Sequence, residues 1–150
     1  MLHQLSKEDV NETFHIRSAL ESYCTLQICK ETNSRKAGKL FKELNKIMEK
    51  MEKIMISSHS IDDFCEYDFR FHTQIINYLE NEQFSSIFAT FMYRMKRLAK
   101  FSLSHEGRME NTYKEHMDIL NAMQSGDVEH IYDITIQHME RPKGINLEDL

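Results

Sequence analysis

Residues 61–79 read IDDFCEYDFRFHTQIINYL, and this stretch decides the fold. Ile61, Phe64, Cys65, Phe71, Ile75 and Leu79 recur at steps of three and four, the spacing that aligns side chains on one face of an α-helix. Asp68 and His72 stand inside that stripe, one turn apart, where the pattern asks for apolar groups. A carboxylate and an imidazole turned toward a core are costly unless something pairs with them.

The same interruption occurs twice more. Over 109–123 the inward positions are Met109, Tyr113, His116, Leu120 and Met123. Over 128–138 they are Val128, Ile131, Ile134 or Thr135, and His138. The remaining histidines act as an internal control. His15 shares its face with Glu12, Ser18 and Ser22, and His130 with Asp127 and Asp133, while His3, His59 and His105 fall at ends or in loops. Four hydrogen-bonded core polar residues are the bland explanation. The coincidence of three stripe histidines with the only stripe aspartate favours one divalent cation shared by Asp68, His72, His116 and His138. His116 and His138 flank the Ser125-Gly126 turn at similar distances, so at ~1.5 Å rise per residue their levels differ by only ~5 Å.

Three imidazoles and one carboxylate suit Zn²⁺ first, with Ni²⁺ or Mn²⁺ as alternatives. Such a centre keeps a net positive charge and favours an anionic ligand at any open position. Along the first helix the inward series Val10, Phe14, Arg17, Glu21, Cys24, Ile28 sets an arginine among apolar neighbours. Two readings of Arg17 stand side by side: an intrahelical pair with Glu21, or a clamp for a ligand carboxylate.

The rest of the chain frames this site. Its 150 residues make one domain, 41% apolar and 29% charged, with only four glycines and one proline to break long helices. The expected fold is an all-α antiparallel bundle of about six helices with short linkers. Ser6 or Asp9 caps the first, which runs to about Lys30. The others span about 35–57, 61–79 and 82–103 behind Asn81; Gly107 opens the fifth, and Ser125-Gly126-Asp127 ends it and caps the sixth, about 127–140. The fourth carries Phe84, Ile87, Phe88, Phe91, Met92, Met95, Leu98 and Phe101, a face wide enough for a central helix or for part of a dimer surface. A formal charge of −5 argues against this piece gripping nucleic acid by itself. Cys24, Cys29 and Cys65 lack metal or disulfide spacing and read as buried free thiols of a cytoplasmic protein. No apolar run approaches a membrane span.

Taken in order, Ile16-Arg17-Ser-Ala-Leu20-Glu21, Asp68-Phe-Arg-Phe71-His72, Asn81, Glu115-His116-Met-Asp-Ile119-Leu-Asn-Ala122, Gly126-Asp127 and His138 span nearly the whole chain. The series resembles the effector-binding C-terminal (FCD) domain of GntR-type bacterial transcription regulators of the FadR subfamily. The resemblance implies a helical bundle with a divalent metal on Asp68, His72, His116 and His138. It implies a small carboxylate effector at that metal, with Arg17 as second contact and Arg94 as a further basic position. It also implies a homodimer that reaches DNA only through an N-terminal winged helix-turn-helix domain. Nothing before Ser6 could form that domain, so the chain as given is expected to sense a ligand and not to read an operator.

Three functions compete. A ligand-responsive regulatory domain ranks first, a domain with a purely structural metal second, and a metallohydrolase third. Against the last, the stripes offer no extra carboxylate as general base, and there is no HExxH and no adjacent His-Asp pair. The only ExxH spacing of a di-metal bundle, Glu12 to His15, falls on a polar face.

Overall fold

The computed structural model describes residues 5–148, and among them lie six α-helices and no strand. They are α1 (Lys7–Lys30), α2 (Arg35–Ile56), α3 (Ile61–Asn77), α4 (Glu82–Leu103), α5 (Arg108–Ser125) and α6 (Ile131–Glu148). Each start has a local cause. Ser6 and Asp9 form a reciprocal capping box, Ser34 and Ser60 accept from the backbone N–H three residues on, and the Asn81 side chain accepts from Gln83 and Phe84. Gly107, at φ 79°, and Gly126, at φ 68°, take the left-handed conformation at the two ends of α5.

The short loops make α2 and α3, α3 and α4, and α5 and α6 packed neighbours. The first pair is the exception: α1 lies chiefly against α6 and also touches α3, α4 and α5. This displacement matters, because it brings the inward face of α1 over the junction of α3, α5 and α6. Val10, Phe14, Arg17, Glu21, Cys24 and Ile28 are all buried there, as their spacing predicts. The main core, with Phe64, Phe71, Leu44, Met51, Leu120 and Met123 at its centre, fills the space between α2, α3 and α5. A smaller cluster of Leu5, Val10, Phe14, Leu98 and Met139 closes the other end.

Boundaries differ most at the last helix. Residues 127–130 form a turn, in which the Asp127 carboxylate accepts from the His130 backbone N–H, and this leaves Val128 exposed instead of inward. At the far end α6 continues through Pro142. Proline has no N–H to close the helical bond onto the carbonyl four residues back, here His138. The helix persists because Pro142 is buried and the Asn146 amide donates to the carbonyls of both Pro142 and Leu98. The broad apolar face of α4 is only partly covered: Phe88, Met95 and Leu98 are buried, whereas Ile87 is 40% exposed. No helix is long and apolar enough to cross a membrane among the described residues.

Candidate metal centre

Asp68 and His72 from α3, His116 from α5 and His138 from α6 converge where α1 covers the bundle. Each offers one ligand atom, and the four atoms lie within 4.8 Å of one another. The three Nε2 atoms form a triangle with edges of 3.1 Å. Asp68 Oδ1 stands 2.9 Å from His116 Nε2 and 3.2 Å from His72 Nε2. All four residues are buried, His116 completely.

The outer nitrogens decide what this cluster can be. His72 Nδ1 donates to Glu21 Oε1, and His138 Nδ1 donates to Glu115 Oε1 at 2.8 Å. A ring whose Nδ1–H is fixed on a carboxylate turns its Nε2 lone pair inward. Two lone pairs and a carboxylate oxygen therefore face one another. Asp68 Oδ1 receives no hydrogen bond, and neither does the buried Nδ1 of His116, whose ring stacks on Phe71 at 4.3 Å. One proton can mend one of these contacts; a divalent cation meets all four atoms at once. The donor set thus fits a metal ion, with carboxylates behind two of the three imidazoles to fix their tautomers.

Electrostatics separate His72 from the other two rings. Burial drives His116 down to about 3 and His138 below the ordinary imidazole range, so both are neutral at physiological pH and free to act as ligands. Burial pushes His72 the same way, but the Glu21 charge overrides it and raises His72. Glu21 itself is held at about 2: burial would lift it, and the charges of Arg17 and His72 outweigh that. Glu115 is held at about 2 against burial by hydrogen bonds from His138, Arg108 and Arg141.

Residues 12–141 match the family model of the FCD domain. The chain belongs to the FCD domain family. Two solved structures share its fold across nearly its full length. The metal-free FCD domain of TM0439, a candidate transcriptional regulator, is 18% identical with a TM-score of 0.78, covering 98% of this chain and 97% of that one. The Zn²⁺-bound FCD domain of the same protein is 17% identical with a TM-score of 0.73 over the same shares. No curated protein matches the sequence.

Beside the cluster, this FCD domain has a small, partly open cavity of about 20 Å³, lined by Phe14, Arg17, Asp68, Arg108, Thr112 and His138 among others. That is room for roughly one or two waters. Arg17 is buried at its wall and donates from Nε to Glu21 Oε2 at 2.6 Å. The intrahelical pair read from the sequence therefore forms, and Glu21 joins Arg17 to His72. The pair does not remove Arg17 from the cavity, which its side chain still lines.

Arg94 is placed elsewhere. Its guanidinium lies 3.5 Å from Asp9 on α1 and over the ring of Phe91, outside the cavity lining. Sequence reasoning missed Arg108 and the bridging parts of Glu21 and Glu115. Arg108 stands at the polar start of a helix, and Glu115 beside His116 off the inward stripe, where charged side chains are ordinarily solvated. The available signal was their coincidence with buried imidazoles, which becomes visible only once α5 and α6 are paired.

Proposed function

We propose that this FCD domain is the ligand-sensing part of a bacterial transcription regulator of the GntR type, FadR subfamily. In this reading Asp68, His72, His116 and His138 hold one divalent ion, Zn²⁺ before Ni²⁺ or Mn²⁺. The observation that carries it is the meeting of three buried Nε2 atoms, two of them backed by carboxylates at Nδ1, beside an unbonded buried carboxylate oxygen. The Zn²⁺-bound state of a relative with the same fold supports the choice of ion. Such an ion, with Asp68 as its one anionic ligand, supplies a positive centre that draws an anionic oxygen donor.

The chain's own residues do the rest. Arg17 lines the cavity while Glu21 fixes its Nε, and it is the residue assigned to receive a small carboxylate. Arg94, engaged by Asp9, adds positive field from outside and no direct contact. The size of the cavity favours a small acid over a long acyl chain. Binding there favours one packing of α1 against α3, α5 and α6, and the shift passes to an attached winged helix-turn-helix domain that contacts DNA. The half-covered face of α4 is the proposed seat of a homodimer in the cytoplasm. No catalytic residue is assigned. A candidate regulator among its structural relatives favours sensing over turnover.

The test is a thermal-shift panel of small mono- and dicarboxylates on zinc-loaded and zinc-free protein. The proposal expects at least one acid to raise the melting temperature only when zinc is present. Stabilisation by zinc with no further response to any acid would instead leave a structural metal.

A further inference from the structure

Helix α2 carries charge unlike the rest of the chain. Its 22 residues hold seven lysines and arginines against three glutamates, a net +4 within a chain of −5, so the remaining residues sum to −9. Arg35, Lys39, Lys42, Lys46, Lys50 and Lys53 follow one another at steps of three or four, which sets them in one stripe along the helix. All six are exposed, and at ~1.5 Å rise per residue the stripe is about 27 Å long. The opposite face, with Leu40, Leu44, Ile47 and Met51, is buried against α3 and α5.

A solvated helix face ordinarily interleaves the two signs, because like charges one turn apart weaken a helix. Here every step along the stripe sets one cation a turn from the next. Nor do neighbouring helices supply the missing acids. Among the described residues Lys46 alone of the six meets a carboxylate, that of Glu43 at 3.5 Å. The basic side of α4 shows the contrast: Arg94 lies 3.5 Å from Asp9, Lys96 4.0 Å from Glu66 and Lys100 3.2 Å from Asp62. Those three cations are absorbed by the fold, and the other five on α2 are not.

We propose that this stripe lies along the phosphate backbone of duplex DNA held by the attached DNA-binding domain. The inference rests on the regulator reading above and adds to it a contact that is blind to base sequence. A straight row of lysines suits a row of phosphates, whereas protein interfaces are poor in lysine and gather around apolar anchors. No apolar side chain interrupts the stripe, and Ile56, 73% exposed, lies beyond its end. The acidic remainder of the surface repels DNA, which leaves α2 as the side that approaches it.

The test is fluorescence anisotropy of a labelled mixed-sequence duplex, about 20 base pairs long, titrated with the full chain at salt from about 50 to about 200 mM. Wild type is expected to bind with a dissociation constant below about 100 µM at the lowest salt. The logarithm of its affinity should fall against that of salt with a slope of about −4.5, as for about five neutralised phosphates. Lys39→Gln, Lys42→Gln, Lys50→Gln and Lys53→Gln together should weaken binding at least about tenfold and leave a slope of about −1. Lys30→Gln, Lys96→Gln, Lys100→Gln and Lys114→Gln together remove the same charge elsewhere and should weaken it less than about threefold. Lys42→Glu is a second variant that should keep the fold, since it sets an acid one turn before Lys46, and it too should weaken binding. No binding by wild type at the lowest salt, or equal losses in the two fourfold variants, overturns this inference and leaves the sensing reading intact. Equal affinity for polyglutamate overturns it in favour of an acidic protein partner. The sensing reading fails by its own test, an acid panel that leaves zinc-loaded protein unmoved, whatever the stripe does.

Discussion

His138 on α6 donates through Nδ1 to Glu115 on α5 at 2.8 Å, and this bond turns the other ring nitrogen toward His72 and His116. Glu115 is in turn gripped by Arg108 and Arg141, so a carboxylate that touches no metal ligand atom governs how one ligand is presented. Glu115→Gln keeps the shape but lets the imidazole lose its fixed tautomer. Zinc affinity, measured by competition with a chromogenic chelator, is expected to fall about 10- to 100-fold. Unchanged affinity would show that packing alone orients His138.

Arg17 and Arg94 separate contact from field. Arg17→Met is expected to weaken carboxylate binding at least about tenfold while one zinc per chain is retained. Arg94→Ala, which removes a side chain paired with Asp9 outside the cavity, should change the same affinity less than about threefold. Titration calorimetry of both variants decides it; equal losses would place Arg94 in contact with the ligand.

Metal should add to stability by mass action. At zinc concentrations about 100 times the dissociation constant, the folded state gains about 2.7 kcal/mol, or roughly 5–10 °C in melting temperature for a domain of this size. A chelator should reverse the gain. A melting temperature indifferent to zinc would mean that the four polar residues satisfy one another.

Gly126 combines two demands on glycine: a φ of 68° and a Thr32 methyl 3.0 Å from where a Cβ would stand. Thr32 cannot easily yield, because its hydroxyl donates to the carbonyls of Met123 and Gln124 across the α1–α5 contact. Gly126→Ala should cost about 1–3 kcal/mol in urea unfolding. Gly107, with open space around it, should cost less on the same substitution.

The three thiols are buried, and burial pushes Cys24 and Cys65 up to about 12 and Cys29 to about 11. All remain protonated through pH 9, so a thiol reagent should label none of them in the native protein and all three in denaturant. Labelling of native protein at pH 8 would contradict their burial.

The sequence was most readable where a polar residue broke an apolar period. Asp68, His72, His116 and His138 announced themselves in that way, and caps such as Ser34, Ser60 and Asn81 marked helix starts directly. Arg108 and Glu115 were not legible, because a charged residue at a helix start or beside the stripe is ordinarily solvated. Only the approach of α6 to α5, and of both to the cavity, buries them. The end of α6 was misread for a related reason: Pro142 breaks a helix in isolation, but contacts from Asn146 to α4 hold the last turns in place. The position of α1 over α6 was equally hidden, since linker length constrains chain neighbours and says little about distant ones.

The central claim is that four buried side chains share one metal ion. Elemental analysis by mass spectrometry on untagged protein, wild type beside His116→Ala, tests it most directly. The account predicts about one zinc, nickel or manganese per wild-type chain and a loss of most of it in a variant that still folds. No metal in the wild type, and none taken up when zinc is added, would contradict it.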